Sequence, residues 1–378
     1  MSKFAFTVET KSGPARTGRL YTAHGQIETP VFMPVGTKAT VKSLTPDQAW
    51  EAGARILLSN AYHLYLRPGP GVIEALGGLH SFMGWPGAIL TDSGGFQIIS
   101  LGGLVAIEDE AVRFRSHIDG SVVVFTPEQS VKTQVALGAD IIMCLDQPVQ
   151  YPATREQAEE AARRTVLWAR RSREIAVPDH QALFGIVQGS VYTDLREWCA
   201  RELCRLDFPG YALGGLSVGE PAEEFYRVMR ETAAMLPEDR PRYLMGVGHP
   251  LDLVEGAAAG IDMFDCVLPT RNARHGRAYT FAGSLNLKNT VHRNDSSPLE
   301  EGCPCYTCSK FSRGYIRHLL QEDEALGRTL LTIHNLRFFF RLMEKIRNGI
   351  RSGCMESLKE EIRRVYPRKG YGETASKD

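Results

Sequence analysis

Eight short apolar runs, each ending in or beside a polar or glycine residue, constrain the fold of this chain more than any other feature. They occupy residues 31–36, 55–60, 88–92, 140–146, 183–189, 211–215, 242–246 and 261–267. Such runs, bounded by turn residues, are typical of strands buried on both faces of a parallel sheet. Helical patterns separate the runs. Eight alternating units favour a (β/α)8 TIM barrel of the α/β class over an open doubly wound sheet, which normally has fewer strands.

Several of the intervening helices carry recognisable start and stop signals. Thr45, Thr126 and Thr154 each stand three residues before a glutamine, the spacing of a capping box. Gly53 and Gly138 are placed to end the first two of these helices, because glycine readily adopts the left-handed conformation found there. The sequence therefore predicts regular connecting helices between the strands.

Three segments do not fit the strand–helix repeat. The first 26 residues predict a two-stranded N-terminal β cap, and residues 112–125 predict a hairpin inserted on the barrel rim. After the eighth strand, a C-terminal zinc-binding subdomain precedes a helix over residues 332–350. We therefore divide the chain into a capped barrel, residues 1–270, and a subdomain with closing helices, residues 271–378.

Three thiols within six residues form the most distinctive local motif. Cys303, Cys305 and Cys308 are followed downstream by His334. This pattern suits tetrahedral Cys3His coordination of zinc, with three ligands in a tight turn and one from a neighbouring element. Because protein fills all four positions, we expect one structural zinc ion per subunit.

Two other interpretations of the thiols remain open. They could form disulfides, or an iron–sulfur cluster with Cys354 as the fourth ligand. The other four cysteines, scattered in apolar or helical segments, fit a reducing cytosol better than a disulfide framework. They are Cys144, Cys199, Cys204 and Cys266. Neither a leader peptide nor a membrane span is recognisable, so we expect a cytoplasmic protein without a membrane partner.

Positive charge is concentrated locally, although 44 basic residues balance 44 acidic ones. Residues 271–294 contain no acid but hold Arg271, Arg274, Arg277, Lys288 and Arg293. A second run of lysines and arginines occupies residues 337–369. Such patches on a neutral protein indicate a footprint for phosphates, and the alternative is a set of solvated helix faces.

Carboxylates end several of the predicted strands. Asp92, Asp146 and Asp265 each follow or close an apolar run, where a charged group requires a partner or a role. One such aspartate could be a helix cap or half of an ion pair. Three on the C-terminal rim of a barrel favour catalysis. Opposed carboxylates suit chemistry at a glycosidic carbon, and the basic segments suggest that this carbon belongs to a nucleotide in RNA.

Five motifs together resemble the tRNA-guanine transglycosylase family, from about residue 29 to past His334. They are residues 91–97 (TDSGGFQ), 214–220 (GGLSVGE), 243–248 (YLMGVG), 262–276 (DMFDCVLPTRNARHG) and the cysteine cluster. The resemblance implies a zinc-containing (β/α)8 barrel that forms a homodimer in the cytoplasm. It also implies exchange of guanine at wobble position 34 of GUN-anticodon tRNAs (Asp, Asn, His, Tyr) for a 7-deazaguanine, a step of queuosine biosynthesis.

The same resemblance assigns roles to individual residues. Asp265 matches the nucleophile and Asp92 the general acid/base. The positions that match base-binding residues are Asp92, Ser93, Gly94, Gly95, Phe96, Asp146, Gln188, Gly215, Leu216 and Met245. Those that match RNA-contacting segments are Gly246, Val247, Gly248, His249, Pro250, Leu251 and Asp252, with Thr270, Arg271, Asn272, Ala273 and Arg274. The implied mechanism attaches ribose C1′ to Asp265 while Asp92 handles the purine proton.

The chain departs from the bacterial pattern beside Asp146, where Gln147 and Pro148 replace a Glu-Cys pair. This loss weakens the case for the cationic base preQ1, whereas Val218, a glycine in the eukaryotic subunit, favours it. We expect preQ1 as the incoming base, with queuine as the alternative.

Two further function classes compete with base exchange. A noncatalytic RNA-binding partner subunit could keep the fold and the metal, but retention of both Asp92 and Asp265 argues against it. A metal-dependent barrel hydrolase would require histidine or carboxylate ligands clustered at the strand ends, and the sequence supplies no His-x-His pair there.

Overall fold

The computed structural model describes residues 4–101 and 106–368. In chain order the strands are β1 (Ala5–Ser12), β2 (Ala15–Thr22), β3 (Gly25–Thr29), β4 (Val31–Gly36), β5 (Ile56–Ser59), β6 (Ala88–Thr91), β7 (Ala106–Ile107), β8 (Val112–Arg115), β9 (Val122–Phe125), β10 (Ile141–Met143), β11 (Ala182–Val187), β12 (Tyr211–Leu213), β13 (Arg242–Leu244), β14 (Met263–Cys266), β15 (Arg277–Thr280) and β16 (Gly283–Asn286).

The helices, in the same order, are α1 (Pro46–Ala52), α2 (Ala61–Leu66), α3 (Pro70–Ala75), α4 (Gly78–Met83), α5 (Gly95–Leu101), α6 (Pro127–Leu137), α7 (Arg155–Arg173), α8 (Thr193–Cys204), α9 (Ala222–Met235), α10 (Pro250–Ala258), α11 (Leu268–Arg274), α12 (Tyr306–Lys310), α13 (Arg313–Gln321), α14 (Ala325–Ser352) and α15 (Met355–Val365). Among the described residues, none of these helices combines the length and the apolar character needed to cross a membrane.

The predicted eight-stranded barrel is confirmed. Strands β4, β5, β6, β10, β11, β12, β13 and β14 pair in that order, and β14 returns to β4 to close the barrel. In the closing pair, which is parallel, Met263 lies opposite Val31 and Asp265 opposite Met33. All eight runs contain a strand, but most strands are shorter than the predicted runs because the polar ends lie beyond the hydrogen-bonded ladder.

Strand alternation divides the core into an inner and an outer layer. Side chains such as Met33, Leu58, Phe184 and Met263 point into the barrel and form one buried cluster. Their neighbours along the strands, such as Phe32, pack outward against the helices. Successive strand side chains point to opposite faces, so a continuously apolar run fills both layers.

The N-terminal cap has three strands rather than the predicted two. Strand β3 pairs antiparallel with β2 directly after the turn at Gly25, whose positive φ of 118° suits glycine. Leu20 and Ile27 of the cap join the inner barrel cluster. The cap therefore closes the N-terminal end of the barrel, and the extra strand is short enough to have been taken for a connection.

The predicted helix boundaries agree with the structure. Thr45 and Thr154 form capping boxes with their glutamines, and the Thr126 hydroxyl accepts a hydrogen bond from the Gln129 amide. Gly53 and Gly138 end α1 and α6 with φ values of 120° and 74°. Local capping chemistry thus sets these ends without help from tertiary contacts.

The rim insertion is confirmed as a β8–β9 hairpin, to which β7 adds a third strand. Phe114 and Phe125 pack with Tyr62 of α2, Leu145 and Trp168 in a separate buried cluster. Because Leu145 and Tyr62 follow barrel strands, the insertion forms a wall beside the C-terminal mouth of the barrel.

The C-terminal region is organised by α14, which begins at Ala325 rather than at the predicted residue 332. This helix contacts α1 and β4 of the barrel as well as α11, α13 and β15. His334 lies on it, fully buried. One helix therefore connects the cysteine cluster to the first barrel strand, and the boundary at residue 270 stays a prediction.

Candidate active site

Three buried aspartates meet at the C-terminal mouth of the barrel. Asp92 directly follows β6, Asp146 follows β10 and Asp265 lies in β14; their exposed fractions are 7, 5 and 8 %. Asp265 and Asp146 both act electrostatically on Asp92, which shows that the three are close. No lysine or arginine forms an ion pair with any of them among the described residues. The mouth is thus rich in uncompensated acid.

Asp92 is held in a protonated state at neutral pH. Burial is the main cause and raises the pKa of its carboxyl to about 8, while the Ala61 amide opposes the shift. Asn60 donates its side-chain amide to Oδ2 at 2.5 Å, and the Ala61 N–H donates to Oδ1 at 3.0 Å. An oriented carboxyl that carries a proton near pH 7 can act as a general acid.

Asp265 is oriented through one of its two oxygens. The Tyr243 hydroxyl donates to Oδ1 at 2.5 Å and the Gly246 N–H donates to the same atom at 2.7 Å. Burial raises the pKa of this carboxyl, and the Tyr243 hydrogen bond lowers it. With Oδ1 held by two donors, Oδ2 is the oxygen available for attack on a ligand.

Asp146, at the predicted base pocket, accepts two hydrogen bonds from buried side chains. The Ser93 hydroxyl donates to Oδ1 at 3.0 Å, and the Gln188 side-chain amide donates to Oδ2 at 2.7 Å. Burial raises the pKa of this carboxyl to about 6. Asp146 is therefore mostly ionised at pH 7 and accepts hydrogen bonds. Gln188 Oε1 is buried and has no hydrogen-bond partner in the described part of the chain.

Glycines leave room for the groups of this pocket. A Cβ at Gly215 would lie 2.3 Å from Gln188 Oε1, and one at Gly95 would lie 2.5 Å from the Asp146 carbonyl oxygen. Gly94 and Gly215 also have positive φ values of 85° and 64°. Side chains at these positions would fill the pocket or strain the backbone.

The apolar members of the predicted base site differ in exposure. Leu216 is buried and Met245 is half-buried, whereas Phe96 at the start of α5 is 56 % exposed. A large exposed aromatic ring beside buried polar groups offers a stacking face for a planar ligand.

Reasoning from single residues missed three groups that shape the site. Tyr243 fixes Asp265. Glu220, 1 % exposed, accepts hydrogen bonds from the Ser217 and Val218 amides and so shapes the loop after β12. The Tyr243 contact joins residues 22 positions apart through the fold, whereas Glu220 bonds amides two and three residues earlier, in a local turn that the sequence analysis did not single out.

Arg196 is the third such residue. Its side chain is fully buried and donates from Nε to the Ser190 carbonyl at 2.6 Å and from Nη2 to the Gly214 carbonyl at 2.8 Å. It thereby joins the loops that follow β11 and β12, which carry Gln188 and Gly215. Burial lowers the pKa of this guanidinium to about 10.

The residues matched to RNA contacts divide by exposure. The side chains of six of them are buried, and these position the backbone instead of reaching a ligand: Val247, Pro250, Leu251, Asp252, Thr270 and Ala273. Asp252 is engaged by Tyr226 and Arg368. Arg271 is exposed and Arg274 is half-buried. Fewer of the predicted RNA-contact residues therefore expose a side chain than the sequence indicated.

The two basic runs behave differently. In the second run, Arg341 pairs with Glu300, Arg351 with Glu28, and Arg363 with Glu255. Of the first run, Arg271, Arg274, Arg277, Lys288 and Arg293 form no ion pair with the described residues. The acid-free segment thus keeps its charge available, whereas the predicted phosphate footprint of the C-terminal run is largely neutralised within the chain.

Gln147, where the chain departs from the bacterial pattern, has its side chain engaged. Its Oε1 accepts a hydrogen bond from Arg164 Nη1 at 2.6 Å, and Arg164 also binds Asp109 and Glu160. Its amide N–H donates to Thr165. Gln147 therefore links the segment after β10 to α7.

The cysteine cluster and His334 come together as predicted and could hold a metal ion. His334 Nδ1 lies 3.9, 3.7 and 3.3 Å from the sulfurs of Cys303, Cys305 and Cys308. His334 Nε2–H donates to the Tyr279 carbonyl at 2.8 Å, which leaves the Nδ1 lone pair facing the sulfurs. The Cys308 amide donates to Cys305 Sγ. A second group that orients a histidine ligand in this way is usual at metal sites.

A separate cluster of two histidines and an aspartate lies at the opposite, N-terminal end of the barrel. His24 Nδ1 and His80 Nε2 donate to the two oxygens of Asp140 at 2.8 and 3.1 Å, and the two rings stack with centroids 3.4 Å apart. Burial raises the Asp140 pKa, but these hydrogen bonds and one from the Ile89 amide outweigh it and lower the pKa to about 2. Direct contacts of this length indicate a hydrogen-bonded cluster.

Comparison with known proteins identifies the family of this chain. The sequence profile of the family "Queuine tRNA-ribosyltransferase" matches residues 10–368. A Queuine tRNA-ribosyltransferase of Pelotomaculum thermopropionicum is 55 % identical over 96 % of this chain and 98 % of its own length. One from Symbiobacterium thermophilum is 56 % identical over 90 % and 85 %, and one from Solidesulfovibrio magneticus 55 % over 96 % and 98 %. The chain therefore belongs to the queuine tRNA-ribosyltransferase family and is a transferase enzyme.

Proposed function

We propose that the protein exchanges guanine at wobble position 34 of GUN-anticodon tRNAs for a 7-deazaguanine, through a covalent ribosyl-aspartate. The observation that carries this proposal is the pairing of two differently prepared carboxyls at one mouth. Asp92 is protonated near pH 7, and Asp265 has one oxygen held by Tyr243 and Gly246 and the other available. A proton donor beside a nucleophile is what cleavage of a glycosidic bond requires.

In the first half-reaction, Asp265 Oδ2 forms a bond to ribose C1′ as the bond between C1′ and guanine N9 breaks. The electrons of that bond go to the purine, which takes the proton of Asp92. In the second half-reaction, ionised Asp92 removes the N9 proton of the incoming base, which attacks C1′ and releases Asp265. Two displacements retain the configuration at C1′ and predict ping-pong kinetics.

Base recognition follows from the pocket of Asp146. This carboxylate, ionised at pH 7, can accept hydrogen bonds from the amide and amino N–H groups of a guanine-like base, and Gln188 offers an unpaired amide oxygen. Exposed Phe96 supplies a stacking face. The target nucleotide has to leave the anticodon stack to reach this pocket, at a cost of a few kcal/mol.

We favour preQ1 over queuine as the incoming base. Val218 lies in the loop after β12, where the eukaryotic subunit that takes the larger queuine has glycine and therefore more room. The Gln147 side-chain oxygen already accepts a hydrogen bond from Arg164. Gln147 therefore supports the segment after β10 and does not take over the role of the missing glutamate toward the base. Glu220, two residues after Val218, is the acid closest to Val218 along the chain, and its carboxylate is buried. We propose that it provides negative charge for the cationic aminomethyl group of preQ1.

The metal we propose is zinc, one structural ion per subunit. With Zn–S bonds of about 2.3 Å and a Zn–N bond of about 2.0 Å, tetrahedral geometry separates sulfur and nitrogen by about 3.5 Å. The three observed separations of 3.3 to 3.9 Å bracket this value. The ion would tie α12 to α14 beside β15, and so hold the unpaired cations of residues 271–294 at an RNA-facing surface.

We also propose a cytoplasmic homodimer. Tyr306 and Tyr315, 49 and 40 % exposed, both contact the Phe311 ring on the metal subdomain, Tyr306 edge-on and Tyr315 stacked. They form an aromatic surface that a second copy can cover. The eight cysteines are unpaired, which suits a reducing compartment.

One exchange experiment tests the proposed function. The protein is incubated with a GUN-anticodon tRNA that carries labelled guanine at position 34, and preQ1 or queuine is added in turn. We expect release of label with preQ1 and little with queuine. Release with queuine alone would reverse the base assignment, and tRNA binding without release in either case would indicate a noncatalytic partner subunit.

A further inference from the structure

A cavity of about 380 Å³ lies at the closed, N-terminal end of the barrel, away from the aspartates of the mouth. It is bordered by the cap turn at Gly13 and Pro14 and by α9, α10 and α15. The charged side chains that line it are Lys11, Arg16, Arg230, Glu238, Arg242, Glu255 and Lys359. Five cations and two anions give the lining an excess of positive charge.

Most of these charges are compensated by neighbours. The matched pairs are Lys11 with Glu238 at 2.5 Å, Arg16 with Asp262 at 2.6 Å, Glu255 with Arg363 at 2.8 Å, and Lys359 with Glu356 at 2.7 Å. Of the charged side chains that line the cavity, only Arg230 and Arg242 are outside these pairs.

Arg242 is the more unusual of the two. It is 6 % exposed, and its Nη2 donates to the Leu236 carbonyl at 2.7 Å. Its Nε has no hydrogen-bond partner, and no carboxylate of the described residues lies within 4 Å of the guanidinium. Burial, with repulsion from Arg16, lowers the pKa of this group to about 10, while Asp262 and Glu238 act from a longer distance to raise it. A buried cation without a carboxylate close by is costly unless an anion approaches its accessible side.

Arg230 supplies the second charge from the solvent side of the same cavity. It is exposed on α9, and its Nε donates only to the Tyr226 carbonyl at 3.0 Å. Among the described residues it forms no ion pair. Two guanidiniums without a carboxylate of the described residues within 4 Å therefore line one space, one buried and one accessible.

We propose that this cavity binds a small dianion of the phosphate class, either inorganic phosphate or a phosphate monoester. Two guanidiniums match the charge of about −1.5 to −2 that a phosphate monoester carries at pH 7, and arginine donors fit phosphate oxygens. The cavity volume admits a phosphate with a small organic group. The site is independent of the base-exchange site at the other end of the barrel.

Binding of inorganic phosphate by the full chain tests this proposal. Phosphate is titrated at constant ionic strength, adjusted with chloride, and followed by thermal unfolding and isothermal calorimetry. We expect a saturable rise in Tm and one site per chain. Arg230→Ala should weaken binding by about tenfold or more, the loss typical of a charge-assisted hydrogen bond. Arg230 is exposed, so this variant should fold normally.

Arg364→Ala is the matched control. Arg364 is an exposed helical arginine on α15 whose Nε also donates to a carbonyl four residues earlier, but it does not line the cavity. We expect wild-type phosphate binding and unchanged base exchange in this variant. Equal binding by both variants, or a Tm rise that does not saturate, would overturn the proposal.

A second arm separates the two sources of phosphate. Ribose 5-phosphate replaces inorganic phosphate in the same titration. Tighter binding of the ester indicates a metabolite site, and equal or weaker binding indicates free phosphate. Both results support a phosphate site, whereas binding of either ligand that survives Arg230→Glu contradicts it.

Discussion

The two ends of the barrel treat the same side chain in opposite ways. Asp262 and Asp265 lie three residues apart at the two ends of β14. Asp262 receives two hydrogen bonds from the Arg16 guanidinium, at 2.6 and 3.0 Å, within a buried ion pair. Asp265 receives only neutral donors. The acid at the closed end is compensated by a cation, whereas the acid at the mouth, the proposed nucleophile, has no cation beside it.

The ionisation of two further aspartates follows the same division. Hydrogen bonds from His24 and His80 lower the pKa of Asp140 at the closed end to about 2. Burial raises the pKa of Asp92 at the mouth to about 8. Functional sites commonly give up stability in this way, and structural sites do not. Substitutions at the two ends should therefore change different properties of the protein.

Asp265→Asn should give the largest effect. Removal of the proposed nucleophile should lower base exchange by about 10⁴-fold or more, as the loss of a nucleophile does in other covalent enzymes. A denaturing gel should show no covalent RNA adduct, while Tm should not fall, because no cation loses its partner. An adduct of undiminished yield would refute the assignment of Asp265.

Asp262→Asn should show the opposite behaviour. It leaves the Arg16 guanidinium buried without its partner, so we expect a loss of about 3–5 kcal/mol in the free energy of unfolding. Residual folded protein should keep its kcat. Asp239→Asn, at a side chain 75 % exposed, is the control and should be neutral. If Asp262→Asn were as stable as the Asp239→Asn control, the proposed difference between the two barrel ends would be wrong.

The pH dependence of Asp92 provides a third test. Because the proposed mechanism needs a proton on Asp92 for guanine release, the rate of that half-reaction should fall as pH rises through about 8. A carboxyl whose folded pKa exceeds its unfolded value loses stability as pH rises between the two values. Asp92→Asn should therefore lower guanine release by about 10²–10⁴-fold while raising Tm at pH 8. A lower Tm would contradict the uncompensated state of the mouth.

Tyr243→Phe should give the smallest effect. It removes one hydrogen bond to Asp265, typically about 1.5–3 kcal/mol for a charged acceptor, and should lower kcat by about 10- to 100-fold. KM for the base should be nearly unchanged, because Tyr243 positions the nucleophile. Phe184→Leu, at another buried barrel position, is the control and should change stability more than kcat. A rise in KM alone would assign Tyr243 to base binding instead.

The fold was predictable because its signals are local. Eight apolar runs, threonine caps and glycine stops need only neighbouring residues, and each appears in the structure where expected. The third cap strand, β3, was missed. It has five residues and Ile27 is its one buried apolar side chain, so it resembles a connecting segment. The Cys3His cluster was predictable from its spacing.

Pairing across the chain was not predictable. The second basic run suggested a phosphate footprint, but its cations meet Glu28 and Glu255, which lie far away in sequence. The same limit hid Arg196, whose two carbonyl partners follow different strands. Side-chain chemistry alone does not reveal which opposite charge the fold will bring within 4 Å.

By itself, the sequence determined the barrel, the positions of Asp92, Asp146 and Asp265 at strand ends, and the donor set of the metal cluster, because period, capping and ligand spacing are local properties. Only the tertiary structure decided which carboxyls are compensated. Burial and the approach of Arg16, His24 or Tyr243 set each protonation state, and these contacts join segments up to 246 residues apart.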